Sequence, residues 1–219
     1  MHGLVNRSIQ CFLGDTYGAD LWAAVAAKAG APVEGFEAML RYDDALTCDL
    51  IQAATLRLGK PRAALLEDLG AYLVTREPLR RLMRFGGVDY TEFLLSLEDL
   101  QGRGLMALPD LDLPELGLES GAAGRFTLTV TAAQPGWGAV FAGMLRAMAD
   151  DYGALALIEH VAPPVDHETT GAGQTGPGQP APVRLGPQAA AQEWVTVELL
   201  EARFASGRRF DLAAMTTGA

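Results

Sequence analysis

The sequence predicts an α+β fold, with a helical first half and a strand-bearing second half. Over roughly the first hundred positions, apolar residues recur at three- and four-residue spacing between glycine and proline stop signals. After Pro109 and Pro114 the spacing changes, and Arg125-Phe126-Thr127-Leu128-Thr129-Val130-Thr131 alternates as a half-buried strand does. At 219 residues and 49% hydrophobic, the chain is long enough to bury a substantial core.

The elements follow in order. Leu4, Val5, Ile9, Phe12 and Leu13 suit a first amphipathic helix, and Leu21, Trp22, Val25, Ala26 and Ala29 a second that stops at Gly30. Asp43 or Asp44 can cap a third carrying Leu46, Leu50, Ile51, Ala54 and Leu58, with Gly59 as its stop and Pro61 opening the next. That fourth helix presents Leu65, Leu66, Leu69, Tyr72 and Leu73 on one face, and a shorter one runs from Glu77 to Phe85 before Gly86-Gly87. A sixth is predicted from Tyr90 to about Gln101. Val140, Phe141, Met144, Leu145 and Met148 return to helical spacing between Trp137 and about Asp151. Strands are expected near Ala154 to Val161 and Trp194 to Phe204, with Arg208 to Leu212 as a last one after the Ser206-Gly207 turn.

Between Pro163 and Pro187 the composition shifts to Gly, Pro, Gln, Ala and Thr. Such a stretch buries too little apolar surface to offset the entropy of ordering it, so 165–187 is expected to be a disordered loop inside a sheet. The segment beyond it is too small to fold alone, which predicts one domain over 1–213, the alternative being a tail linker followed by a docking peptide.

A formal net charge of −10 and a pI near 4.7 disfavour nucleic acid and anionic lipid as partners. The densest cationic clusters, Arg80-Arg81 with Arg84 and Arg208-Arg209, read as solvated faces. No signal peptide is recognisable, and the apolar runs stop short of the ~20 residues that span a bilayer. Cys11 and Cys48 have no metal-like spacing, and their scarcity suits a reducing, cytoplasmic setting. No phosphate loop or nucleophile elbow is present, so the chain is not expected to be an enzyme. Asp43-Asp44 reads as a helix cap and Asp150-Asp151 as a solvated helix end.

Short motifs then carry a family resemblance. Met1-His2-Gly3-Leu4-Val5-Asn6 is similar to an opening Met-Tyr-Gly-Leu/Phe-Val-Asn, and Tyr17-Gly18 with Leu21-Trp22 to Tyr/Phe-Gly-x-x-x-Trp. Tyr42-Asp43-Asp44 with Thr47 and Ala53-Ala54, Gly70 with Tyr72, and Phe93-Leu94 with Leu97 to Leu100 continue the pattern. In this order and at these separations they resemble the haem nitric oxide/oxygen-binding (H-NOX, HNOB) domain over about residues 1 to 160. The resemblance implies a helical subdomain over about 1–62, packed on a signal helix and an antiparallel sheet with flanking helices over about 63–213. A ligand pocket would lie between them, near Val5, Leu94, Leu97 and Val140.

At the cofactor positions the sequence departs from the family. Gln101 stands where the family has the histidine that ligates iron, and a carboxamide is a poor donor beside imidazole. The family's propionate-gripping Tyr-x-Ser-x-Arg aligns with Val130, Ala132 and Gln134, its register fixed by Pro135-Gly136. Pro114 matches a proline that presses on the porphyrin, or else simply enters a strand. His2, His160 and His167 lie off the signal helix and read as surface or capping residues, while Met106 reads as core.

No cofactor is therefore expected. The chain reads as a non-catalytic sensory module that relays pocket occupancy or an interaction to a signalling protein. By resemblance to stand-alone bacterial members, that partner is a histidine kinase or a cyclic-dinucleotide enzyme. The alternatives are a haem-binding gas sensor with a non-standard iron ligand, and an interaction scaffold whose pocket is filled by its own side chains.

Overall fold

The computed structural model describes residues 1–107, 110–161 and 190–200. The expected loop at 165–187, His167, the end of the 194–204 strand and the 208–212 strand lie outside the described residues.

Among the described residues, eight α-helices and four strands follow one another: α1 Gly3–Tyr17, α2 Ala19–Ala29, α3 Asp44–Leu58, α4 Arg62–Thr75, α5 Glu77–Arg84, α6 Tyr90–Leu95, α7 Leu100–Ala107, β1 Glu115–Ser120, which the sequence marks only as extended, β2 Arg125–Ala132, α8 Trp137–Tyr152, β3 Ala156–Val161 and β4 Ala191–Leu199. The third helix starts as its sequence indicates, with the Asp43 carboxylate accepting the Ala45 N–H at 2.9 Å, and it stops at Gly59 in the left-handed region.

All strand pairs are antiparallel, in the order β1-β2-β4-β3. Phe126, Leu128 and Val130 of β2 share the buried face with Val195, Val197 and Leu199 of β4, as period-two alternation requires. Against this face lies α8, which buries Ala139, Val140, Phe141, Ala142, Met144, Leu145 and Met148. A helix apolar on nearly every side must be covered on nearly every side, and α4 covers α8 opposite the sheet. The two helices approach so closely that a side chain at Gly70 would overlap the Val140 carbonyl, and one at Gly143 the Glu67 carbonyl. Helices α1 to α3 complete the helical layer around Ile9, Phe12, Leu13, Trp22, Leu50 and Ala54.

The sixth predicted helix is not continuous. After α6, capped by Asp89 on the Glu92 N–H, a 3-10 turn over Ser96–Asp99 intervenes before α7. The Ser96 hydroxyl donates to the Phe93 carbonyl at 2.8 Å, and Arg103 reaches back to the Ser96 carbonyl at 2.8 Å, so the carbonyls freed at the break are satisfied locally.

Candidate functional site

Three of the sequence motifs converge on Asp44. The amino group of Met1 binds the Asp44 carboxylate and the Tyr42 carbonyl, the latter at 2.9 Å. From the end of β2, the Gln134 amide donates to the other Asp44 oxygen at 3.0 Å and accepts from Cys48 Sγ at 3.8 Å. The amine hydrogen bond is the main influence holding the Asp44 carboxyl below the usual carboxylate range; burial opposes it and Gln134 assists. Beside this cluster the wholly buried Asn6 accepts from Thr47 Oγ1 at 2.6 Å, joining the opening motif to α3. Gly3 is required there because the backbone at Glu37 and Leu40 packs directly on it. His2 caps α1 through Nδ1, which accepts the Leu4 N–H at 3.2 Å, and is itself buried. Asp44 thus leaves helix capping to Asp43.

The positions aligned with haem-binding residues are engaged with their own chain. Gln101 is half-buried near the start of α7, and its amide donates to the Leu113 carbonyl at 3.4 Å. Across the break the buried seam passes from Leu94 and Leu97 to Leu100 and Gly104, and Gln101 lies beside it. The tighter 3-10 turn advances each residue by more than an α-helix does, so uniform helical spacing does not carry through to position 101. Pro114 is buried immediately before β1. Val130 is buried opposite Glu193 and Leu116, and the half-buried Ala132 pairs with Ala191.

Among the described residues, the interior beside these positions is closely packed. A porphyrin needs a space of roughly 300 Å³ or more, and side chains around such a void would keep surface that water can touch. Leu94 and Leu97 present 0% and Val130 1%. Val140 is also buried, and Val5 is half-buried. One cavity, of about 10 Å³, is lined by Ile9, Phe12, Leu13, Ile51, Ala54, Leu65, Leu66 and Leu69. It has room for about one water molecule. Neither this cavity nor a groove of about 370 Å³ between α2 and α3 is lined by Val5, Leu94, Leu97 or Val140. Two carboxamides, two apolar side chains and a closely packed interior do not fit haem.

Met106 and Asp151 depart from the sequence expectation, and so does His160, which lies inside β3 with its side chain 9% exposed and not at the surface or at a cap. Met106 is 80% exposed, because it lies off the face of α7 that carries the buried Leu100 and Gly104. Asp151 is not a solvated helix end: its side chain is 14% exposed and binds both Arg80 and Arg84, the latter at 2.8 Å. Burial would raise its pKa, but hydrogen bonds and charge from the two guanidiniums outweigh that and hold it below the usual range. Arg84 also lies over the Tyr152 ring at 4.7 Å, so this arginine cluster ties α5 to α8. Sequence reasoning also passed over Glu193. Its period-two spacing with Val195 and Val197, which marks the buried face, was the available signal.

Among the described residues there is no group of three or more His, Cys, Asp or Glu residues that could hold a metal ion. Nor is any helix there long and apolar enough to cross a membrane.

Known proteins give the same fold. The chain is similar to solved structures of a Cs H-NOX carrying an unnatural amino acid (13% identity, TM-score 0.69, covering 92% of this chain and 97% of that one) and a T. tengcongensis H-NOX point mutant (13%, 0.68, 92% and 98%). It also resembles an oxygen-binding H-NOX domain related to soluble guanylate cyclases, solved as its oxygen complex (13%, 0.65, 92% and 96%). The model of the Haem-NO-binding family matches residues 2–160. With most of its length matched by that family and its fold shared with those structures, the chain belongs to the Haem-NO-binding family, the H-NOX domains.

Proposed function

We propose that this H-NOX domain works without haem, as a non-catalytic cytoplasmic signalling module read by a partner protein. The observation that carries the reading is the closed interior around Leu94, Leu97 and Val130, where side chains of the chain itself fill the space. The engagement of Gln101 with Leu113 and of Gln134 with Asp44 supports it, since each amide is committed to a structural bond. With Leu94, Leu97 and Val130 packed against their own chain, the input is an interaction at the surface. The filled-pocket scaffold is therefore favoured over a pocket sensor.

The segment from α6 to α7 is suited to relay such an input. It is tied to the sheet edge by Glu98, whose carboxylate accepts the Leu118 N–H at 3.0 Å, and by Gln101 just before β1. It also leaves Leu95, Leu105 and Met106 exposed to a partner. A partner that binds two arrangements of this segment unequally shifts the balance between them. The family resemblance points to a histidine kinase or a cyclic-dinucleotide enzyme in that role.

A second reading, a haem-dependent gas sensor with an unexpected ligand, is favoured by the fold shared with an oxygen-binding H-NOX domain. Visible absorption of protein produced with ample haem separates the two. Colourless protein after gel filtration is expected, and a stoichiometric Soret band would replace the proposal with the second reading.

A further inference from the structure

The first turn of α8 holds a carboxylate that comes from β4. The Gly136 N–H donates to both oxygens of Glu193, at 3.0 and 3.1 Å, and the Gly138 N–H donates to one of them at 2.6 Å. The Glu193 side chain is 7% exposed, on the same sheet face as Val195 and Val197. Burying a carboxylate among apolar residues is costly unless charge or hydrogen bonds offset it. The free amides and positive dipole end of a sixteen-residue helix provide both.

A second observation points to the same place. His160 Nε2 is buried without a hydrogen-bond partner and lies 3.8 Å from Glu193 Oε1, with its side chain 9% exposed. The cradle also needs glycine: Gly136 has φ +111°, and a Cβ on Gly138 would lie 2.8 Å from both the Glu193 Cβ and His160 Nε2. Arg62 donates to the neighbouring Pro135 carbonyl at 3.3 Å, which adds positive charge nearby.

We propose that the first turn of α8, together with His160, is a carboxylate-binding site whose resident ligand is the chain's own Glu193. Removing that side chain opens the site to a small monocarboxylate of acetate's shape. In the intact chain the site is self-occupied and ties β4 to α8, whether or not the domain takes haem.

The test is thermal unfolding of Glu193→Ala in sodium acetate and in sodium chloride at matched pH and ionic strength. In chloride the variant should melt roughly 4–8 °C below the parent, and acetate should restore the loss saturably while leaving the parent unchanged. Glu193→Gln fills the space without charge, so it should melt lower than the parent and ignore acetate. Adding His160→Ala to Glu193→Ala should raise the acetate requirement several-fold, and an unchanged requirement would overturn the two-part site. Equal melting of folded Glu193→Ala in the two salts, or parent-like melting of Glu193→Gln, would overturn the proposal. If Glu193→Ala does not fold in chloride, refolding yield decides: recovery in acetate alone supports the site, and equal failure in both salts refutes it.

Discussion

Gly70 of α4 lies directly against the carbonyl of Val140 in α8, with no space for even a methyl group between them. The overlap is with backbone, so no rotamer change relieves it and the two helices must move apart. Alanine would favour an isolated helix by about 1 kcal/mol, but overpacking of this kind costs about 1–3 kcal/mol or more. Gly70→Ala should therefore be less stable than the parent by urea denaturation. Gly14→Ala is the control, because nothing lies within 4 Å of its added methyl. If Gly70→Ala proves as stable as Gly14→Ala, the close packing of α4 on α8 is wrong.

The Asp151 cluster sets a pH dependence. Its folded pKa lies below the unfolded value, so the folded state binds the proton less readily. The stability it contributes is fully present above the unfolded pKa, near about 3.9, and is lost as pH falls through the lower folded value. The two arginines are nearly half exposed, so solvent and salt screen the interaction. Asp151→Asn should cost about 1 kcal/mol at neutral pH, and its unfolding curve should converge with the parent's in acid. A constant difference across the acid range would assign the loss to packing instead.

Glu98 makes a narrower claim. Its carboxylate accepts the Leu118 N–H on the side of β1 facing away from β2, from an exposed position. Glu98→Ala should speed hydrogen exchange at the Leu118 amide while changing global stability by less than about 0.5 kcal/mol. Unchanged exchange at Leu118 would remove this link between the 3-10 turn and the sheet.

Much of the fold was legible because its signals are local. Asp43, Gly59 and the apolar faces of α1, α3 and α4 act within a few residues of themselves, and the elements appear where those signals stand. The break at Ser96 was not legible, since it depends on Arg103 folding back seven residues. Asp151 needed α5 to arrive from far along the chain, and Glu193 needed the α8 amides 55 and 57 residues before it. At the candidate site, the replaced side chains could be read directly from the sequence. What those side chains bind instead could not, because Leu113 and Asp44 become their neighbours only in the folded chain.

Restoring the cofactor residues tests the site most directly. Gln101→His provides an imidazole, and adding Val130→Tyr, Ala132→Ser and Gln134→Arg completes the family's motif. From the sequence alone, the quadruple variant is expected to take up haem and the single variant to take up little, because carboxylates held without charge-assisted hydrogen bonds, about 1.5–3 kcal/mol each, bind weakly. The structure adds a steric demand. Val130 is 1% exposed beneath α8, so a tyrosine there must displace packed neighbours at a cost of about 1–3 kcal/mol before any ligand enters. Gln101→His must also release the Leu113 carbonyl and turn its ring toward Leu97 and Leu100, which are already buried. Both variants should therefore remain apo in haem titrations, with the quadruple variant less stable than the single one. Five-coordinate haem in a folded quadruple variant would mean that the interior reopens readily, and that only the ligands were lost.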